Sequence, residues 1–440
     1  MMNNRSSDTI YLLTFFLSLI LVGALLLSLP GVWAGGGRLA AVDALFTATS
    51  AVCVTGLITV DTAAFSRFGQ LIIMLLIQLG GLGIISFTSL LLLVPGHRLP
   101  FRRLRTIKSF SVDGVERDPA KIVRSIVIFT LVSELAGAVL LQLIFRREGV
   151  DHSWFAALFH AVSAFCNAGF STFPDSLERF RTAPDLLAVV AMLITGGGIG
   201  FIVMHDLSRW LRRKKRQLSF HTKLILSVSF VLVGFGTLAF LLLERNAAMA
   251  DMSFWQKFMN SLFQAVTPRT AGFNTIHQTD LGQASKMLTM ILMFIGGAPG
   301  SIAGGVKVST AFIVLMIMLR RANEQGEIQV FHKRLSPVII NSAVVYFTKA
   351  IFLLICATGL ITLFEASRGL DLGHIAFEVV SAFGTVGLSL DLTASLGSWS
   401  KLVLIFTMFT GRVGLLAVVY LGDARRKYNI VYPEADILIG

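Results

Sequence analysis

The sequence predicts an all-α polytopic membrane protein built from four parallel helix–re-entrant loop–helix units. Three observations lead there. First, 55% of the 440 residues are hydrophobic and only 14% are charged, well below the roughly 25% charge of soluble chains. The apolar residues fall in runs of about 20, long enough to cross about 30 Å of hydrocarbon. Second, basic residues cluster just after such runs. Third, a short glycine-containing motif returns four times along the chain.

The formal net charge of +13 is concentrated in those clusters. Arg98, Arg102, Arg103, Arg105, Lys108, Arg117 and Lys121 form the first; Arg209, Arg212, Arg213, Lys214, Lys215, Arg216 and Lys223 form the second. Arg320, Arg321, Lys333 and Arg334 make a third, and Arg425, Arg426 and Lys427 a fourth. Each follows an apolar span, as the positive-inside rule expects of cytoplasmic segments. This reading assigns the charge to topology and to anionic membrane lipids, excludes nucleic acid as a partner, and puts both termini in the cytoplasm of a plasma-membrane protein. The first apolar run, near 10–30, is longer than a signal-peptide core and is read as a retained helix. Cys53, Cys166 and Cys356 lack metal-ligand spacing and are read as small buried residues.

The repeats fix the order of elements. The motif reads SAVCVTGL at 50–57, SAFCNAGF at 163–170, VTPRTAGF at 266–273 and SAFGTVGL at 381–388. Its glycines, Gly56, Gly169, Gly272 and Gly387, are separated by 113, 103 and 115 residues. The units are 1–94, 95–208, 209–319 and 320–440. First helices are predicted near 10–30, 122–146, 222–244 and 341–364. Second helices follow near 68–94, 184–208, 284–319 and 398–422, giving eight transmembrane helices. Between them lie apolar pieces near 39–51, 153–165, 254–266 and 371–383. About 13 residues of helix span only about 20 Å, so these pieces must dip in and return, which is tolerated where backbone lines a cavity. Two crossings per unit make the units parallel, and the four loops converge on one pseudo-fourfold axis as a central pore.

A cation leaving water needs oxygens to replace its hydration shell, and rings of backbone carbonyls supply them. Aiming successive carbonyls at one axis requires backbone angles that glycine adopts freely. The candidate filter residues are therefore Val54, Thr55 and Gly56; Asn167, Ala168 and Gly169; Thr270, Ala271 and Gly272; and Thr385, Val386 and Gly387, with K⁺ as the ion they hold. The alternative, glycines serving only close helix packing, does not account for four aligned copies after four short dips.

The third unit's second span reads FIGGAPGSIAGGVK at 294–307. Clustered glycines and a proline disfavour a continuous helix, so Gly296, Gly297, Pro299, Gly300, Gly304 and Gly305 predict a helix broken below the filter, a gating element or, in the competing reading, a tolerated kink without a gating role. Arg412, in FTGRVG at 409–414, is expected to face the pathway because a guanidinium in hydrocarbon is costly. A structural ion pair is the competing reading for it. Glu134, Lys307 and Lys349 are further intramembrane charges, and Asp206 is read as interfacial. His160 and Glu378, each nine residues before its filter glycine, are read as braces of the filter or as groups that lend it negative charge.

The four loops, the 296–305 segment and the 409–414 motif resemble the Trk/Ktr/HKT superfamily of potassium and sodium transporters over nearly the whole chain, and within it the Ktr-type translocating subunits. The tail at 432–440 fits that branch too. The resemblance implies a K⁺-translocating homodimer on a cytoplasmic, nucleotide-binding KtrA-like regulatory ring, with Na⁺ as an activator. It assigns the filter to the four glycines, gating to 296–305, and a pore-facing role to Arg412. Glycine at Gly56, where some Na⁺-favouring plant relatives carry serine, fits K⁺. The chain departs from the family pattern at Leu415 and Asn167, neither of which removes a carbonyl. No catalytic triad, metal cluster, phosphate loop or nucleotide fingerprint appears, so neither an enzyme nor a cofactor is expected. A TrkH-like or Na⁺-permeable transporter, and an alternating-access carrier for an organic solute, are the alternative functions.

Overall fold

The computed structural model describes residues 3–35, 38–93, 119–213, 216–319, 329–330 and 333–414. Most of the first basic cluster, the fourth cluster, Leu415 and the tail at 432–440 lie outside the described residues. α1 (Asn3–Leu27), α2 (Ala41–Val52) and α3 (Arg67–Leu93) lead, followed by α4 (Pro119–Arg147), α5 (Ser153–Phe165), α6 (Pro184–Gly198) and α7 (Phe201–Leu211). Next come α8 (Phe220–Glu244), α9 (Phe254–Val266), α10 (Gln283–Phe294) and α11 (Val308–Leu319). A two-residue hairpin, Gln329–Val330 with Lys333–Arg334, precedes α12 (Pro337–Phe364), α13 (Leu372–Gly384) and α14 (Ser398–Val413).

Among the described residues α1, α3, α4, α8 and α12 are long and apolar enough to cross a membrane, and α6 with α7 makes a sixth such span if the bent pair is taken as one. Their outward faces carry large apolar side chains in the open, such as Leu135, Phe230 and Phe352, while Thr49, Ser163, Gln264 and Glu378 are buried inside. That inversion suits lipid outside and a polar interior.

Sequence chemistry sets the helix ends. Ser253 and Gln256 form a capping box at the start of α9, and the Asp371 carboxylate accepts from the His374 amide at the start of α13 (3.0 Å). These side chains satisfy amides that a helix start leaves bare. Pro184 and Pro337 occupy first-turn positions, where the missing N–H is harmless. Two buried glutamates link helices. Glu244, ending α8, accepts from the Gly282 amide ahead of α10 (2.9 Å), and Glu365, after α12, accepts from the Gly397 amide ahead of α14 (2.7 Å). A carboxylate there also complements the positive end of each helix dipole.

The short helices α2, α5, α9 and α13 pack against the long helix that follows in the preceding unit: α5 against α3, α9 against α6, α13 against α10 and α2 against α14. The packing runs once round and closes on itself. Close approach depends on glycine. A β-carbon on Gly80, Gly197 or Gly411 would lie 2.0, 1.9 or 2.0 Å from the carbonyl oxygen of Val52, Phe165 or Phe383, at or next to the end of the short helix. Packing is therefore the role of the long-helix glycines.

Two expectations need correction. The span predicted as one helix over 184–208 is broken: α6 and α7 meet at 105°, because Gly200 sits at φ +89° and the break is occupied by backbone of the 295–307 loop. Cys356 is exposed on the outward face of α12, whereas Cys53 and Cys166 are buried; a membrane-facing position accepts a small apolar side chain as readily as a core does.

Candidate functional site

The four glycine loops share one backbone. The glycines have φ of +92° (Gly56), +69° (Gly169), +77° (Gly272) and +95° (Gly387). Two residues earlier, Val54, Asn167, Thr270 and Thr385 also have positive φ, at 55°, 58°, 73° and 49°. Left-handed angles at alternate positions turn neighbouring carbonyls the same way instead of to opposite sides. The intervening amides point back into the short helices. Thr55 N donates to Ser50 O and Ala168 N to Ser163 O (both 2.7 Å), Ala271 N to Thr267 O and Val386 N to Ser381 O (both 2.9 Å).

The loops interlock as a ring. A β-carbon on Gly56 would stand 2.4 Å from the Ala168 carbonyl oxygen, and one on Gly169 would stand 2.8 Å from that of Ala271. The series continues from Gly272 to Val386 O (2.1 Å) and from Gly387 to Thr55 O (2.3 Å). Eight of the twelve predicted filter residues thus meet directly, and the other four, Val54, Asn167, Thr270 and Thr385, adjoin them in sequence. The buried hydroxyls of Thr55 and Thr385 have no protein partner among the described residues. The arrangement leaves backbone carbonyls of all four loops packed closely round one place, with most loop amides bonded back into the short helices.

Side chains behind the ring hold it. His160 contacts Ser171 Oγ through Nε2 (2.9 Å) and Ala156 O through Nδ1 (2.7 Å). Glu378 accepts from Ser389 Oγ (2.7 Å), the Leu390 amide (2.9 Å) and Thr393 Oγ1 (2.5 Å). Ser171 and Ser389 each stand two residues beyond the loop glycine, so both side chains brace the strand that leaves the loop.

Beneath the ring, α10 stops at Phe294 and α11 begins at Val308, a break over 295–307 that contains the predicted 296–305 segment. The segment folds on itself through Gly296 N to Val306 O (2.9 Å) and Val308 N to Gly297 O (3.1 Å). It is stitched to the α6–α7 break by Ala298 N to Gly198 O (3.0 Å) and Phe201 N to Gly300 O (3.1 Å). A β-carbon on Gly304 would lie 2.2 Å from Thr385 Oγ1, so the segment lies directly against the fourth loop. Arg412 is buried and donates to the Ile302 carbonyl, and to Gly80 O on α3 at 3.2 Å. Its partners are carbonyls, not the carboxylate of an ion pair. Lys307 donates to Ala303 O within the same segment. Asp206 is buried, and accepts from the Ser219 amide at the start of α8 (2.8 Å).

A sequence profile of the family described as TrkH, cation transport protein, matches residues 5–424. The chain belongs to this family. It is 38% identical to the potassium/sodium uptake protein NtpJ of Enterococcus hirae, over 97% of this chain and 95% of that protein. It is also 35% identical to the Ktr system potassium uptake protein B of Bacillus subtilis (97% and 95% covered) and 36% to that of Vibrio alginolyticus (98% and 94%). The crystal structure of the potassium transporter TrkH from Vibrio parahaemolyticus superposes with a TM-score of 0.77 at 21% identity, covering 95% of this chain and 85% of that one. The family resemblance read from the motifs is borne out, as is the expectation of a transporter, not an enzyme.

Two features of this TrkH-family chain escaped the sequence reading. One is the hydroxyl at the end of each short helix: Ser50 and Ser381 accept from the amides of Gly56 (3.0 Å) and Gly387 (3.1 Å), while Ser163 and Thr267 donate to the carbonyls of Phe170 (2.7 Å) and Phe273 (2.8 Å). The motif strings contain these residues, but serine also suits a helix end for reasons unrelated to a ring. The other is a clasp across the mouth. His277 contacts Glu178 Oε1 (3.0 Å) and Asp391 Oδ2 (2.8 Å), residues about a hundred positions away on either side. Partial burial pulls the His277 pKa down, but the hydrogen bonds and charges of Glu178 and Asp391 outweigh it and the pKa is raised.

Proposed function

We propose that the chain takes up K⁺ across the plasma membrane through a filter formed by its four glycine loops. The observation that carries this reading is the closed ring of four loops with left-handed residues at alternate positions, an arrangement that suits carbonyls turned towards a common axis. A K⁺ ion would exchange its hydration shell for the oxygens of Val54, Thr55 and Gly56 and of their counterparts. The short helices end at the ring, and their C-terminal dipoles add negative potential. The potassium uptake functions in the names of its relatives support the same ion.

In this reading the four units give eight crossings, with α6–α7 and α10–α11 each counted as one broken span. The 295–307 segment, pinned by Arg412, restricts the pathway below the filter. Two copies form a homodimer with cytoplasmic termini, seated on a KtrA-like nucleotide-binding ring, and Na⁺ activates uptake. Support for a partner comes from relatives named as components of Ktr systems. The test is ⁸⁶Rb⁺ uptake into proteoliposomes of purified protein, with K⁺, Na⁺ or organic solutes competing, beside light scattering of the detergent-solubilised protein. Uptake blocked by K⁺ much more than by Na⁺, and by no organic solute, is the expected result. Competition by an organic solute in a particle of monomer mass would overturn both the ion pathway and the dimer.

A further inference from the structure

Glu134 lies midway along α4, 3% exposed, where a carboxylate is expensive to keep. No arginine, lysine or histidine among the described residues pairs with it. Its partners come from two other elements. Gln78 Nε2, on α3, donates to Oε2 at 3.1 Å, and the Cys166 thiol lies 3.6 Å from both Glu134 Oε1 and Gln78 Oε1. Cys166 is the residue at which α5 ends, with its amide still bonded to Val162 O (2.9 Å). The next residue, Asn167, is already at φ 58°. The thiol therefore sits on the hinge between short helix and second loop. A wall closes behind it, since a β-carbon on Gly81 would lie 2.9 Å from Cys166 Sγ.

The other loops lack this device. At the matching position the first has Cys53, whose thiol has no hydrogen-bond partner among the described residues. The third has Arg269, which reaches Ser229 Oγ on α8 (3.0 Å). The fourth has Gly384, with no side chain. A buried carboxylate retained behind one loop of four, and tied to the residue that starts its turn, is more than filler.

We propose that Glu134 is a positioning residue for ion selectivity: with Gln78 it seats the Cys166 thiol, and so fixes the angle at which the second loop enters the carbonyl ring. The inference rests on the filter reading above. A small rotation at Cys166 would swing the carbonyls of Asn167 and Ala168, and Ala168 O is the oxygen packed against Gly56. The effect would therefore fall on discrimination between K⁺ and Na⁺, which depends on carbonyl placement, more than on assembly.

The test compares the preference for Rb⁺ over Na⁺ in proteoliposomes of the full chain carrying Glu134→Ala, Glu134→Gln, Cys166→Ala, Gly81→Ala, and Glu134→Ala with Cys166→Ala. Loss of one buried hydrogen bond corresponds to a change of about two- to tenfold in that ratio. That change is expected for Glu134→Ala and for Cys166→Ala, with no further change in the double variant. Glu134→Gln, which keeps an acceptor for the thiol, should restore most of the preference, and Gly81→Ala should lower it by pushing the thiol away. If Glu134→Ala does not assemble, the Cys166 and Gly81 variants decide. An unaltered ratio in both, or effects that multiply in the double variant, overturns the inference while leaving transport in place. An unmodified protein that carries no Rb⁺ would instead overturn the filter reading, and this inference with it.

Discussion

Adding one methyl group at each ring glycine in turn should damage the four positions in a set order. Ordinary carbon–oxygen contact begins near 3.4 Å, whereas a β-carbon would stand 2.1 Å from the facing carbonyl at Gly272, 2.3 Å at Gly387, 2.4 Å at Gly56 and 2.8 Å at Gly169. At Gly272 the Val386 carbonyl must retreat by more than an ångström, too far to remain a ligand; at Gly169 the Ala271 carbonyl moves about half as far. Each alanine also bears roughly 1–2 kcal/mol for a left-handed backbone, a term common to all four that does not alter the ranking. Loss of about 1.4 kcal/mol of K⁺ preference is tenfold in the ion ratio. We expect at least about that at Gly272→Ala and Gly387→Ala, and the mildest loss at Gly169→Ala. The assay is ⁸⁶Rb⁺ uptake against graded Na⁺ and K⁺, normalised to protein inserted. Equal damage at Gly169 and Gly272, or intact discrimination at all four, would refute the interlocked-ring argument.

Arg412→Ala removes the charged hydrogen bond to the Ile302 carbonyl. Such a bond is worth about 1.5–3 kcal/mol, so the population with a displaced 295–307 segment should rise roughly 10- to 150-fold. Ion flux should rise with it, and flux identical to the unmodified protein would leave the arginine a purely structural role. His277, with its pKa raised in the folded state, contributes stability that is complete below its unfolded value and is lost as pH rises through the folded one. Thermal unfolding should therefore occur at a lower temperature above that pH than below it, and His277→Ala should remove this step. An unchanged pH profile in the variant would show that the clasp is not the titrating element.

What the sequence made legible was whatever repeats. The short helices predicted at 153–165 and 254–266 are the helices observed, because each is a short apolar run ended by a glycine motif, the second also opened by a capping box. The four loops were legible for the same reason: alternation of left-handed residues needs a glycine at a fixed place. The break in the third unit announced itself through five glycines and a proline between 296 and 305. The α6–α7 break did not. Gly196, Gly197, Gly198 and Gly200 read equally well as packing positions in a continuous helix, and the bend arises where Gly198 O and the Phe201 amide bond to the 295–307 segment, a distant part of the chain. The partners of Glu134 were hidden in the same way, since no periodicity links Gln78, Glu134 and Cys166. Sequence periodicity reports on a unit, whereas these contacts join one unit to the next.

The distinction also bears on how a fourfold pathway is controlled. The ring itself is nearly uniform, with carbonyls from four similar loops and hydroxyls at the ends of four short helices. Everything around it is unequal. The 295–307 segment belongs to one unit, yet it bonds to the α6–α7 break, lies against Thr385 of the fourth loop and is held through Arg412, which also reaches α3 at Gly80. One segment is therefore tied directly to the α6–α7 break and the fourth loop, and through Arg412 to α3. A displacement of that segment would break bonds to Gly198 and to Arg412 together, so its release is more cooperative than any one of those bonds implies. In the proposed filter, uniform backbone would present the ion with similar oxygens from every side. Unequal side chains and one inserted segment allow a pathway with near-fourfold symmetry to be opened or closed from a single direction.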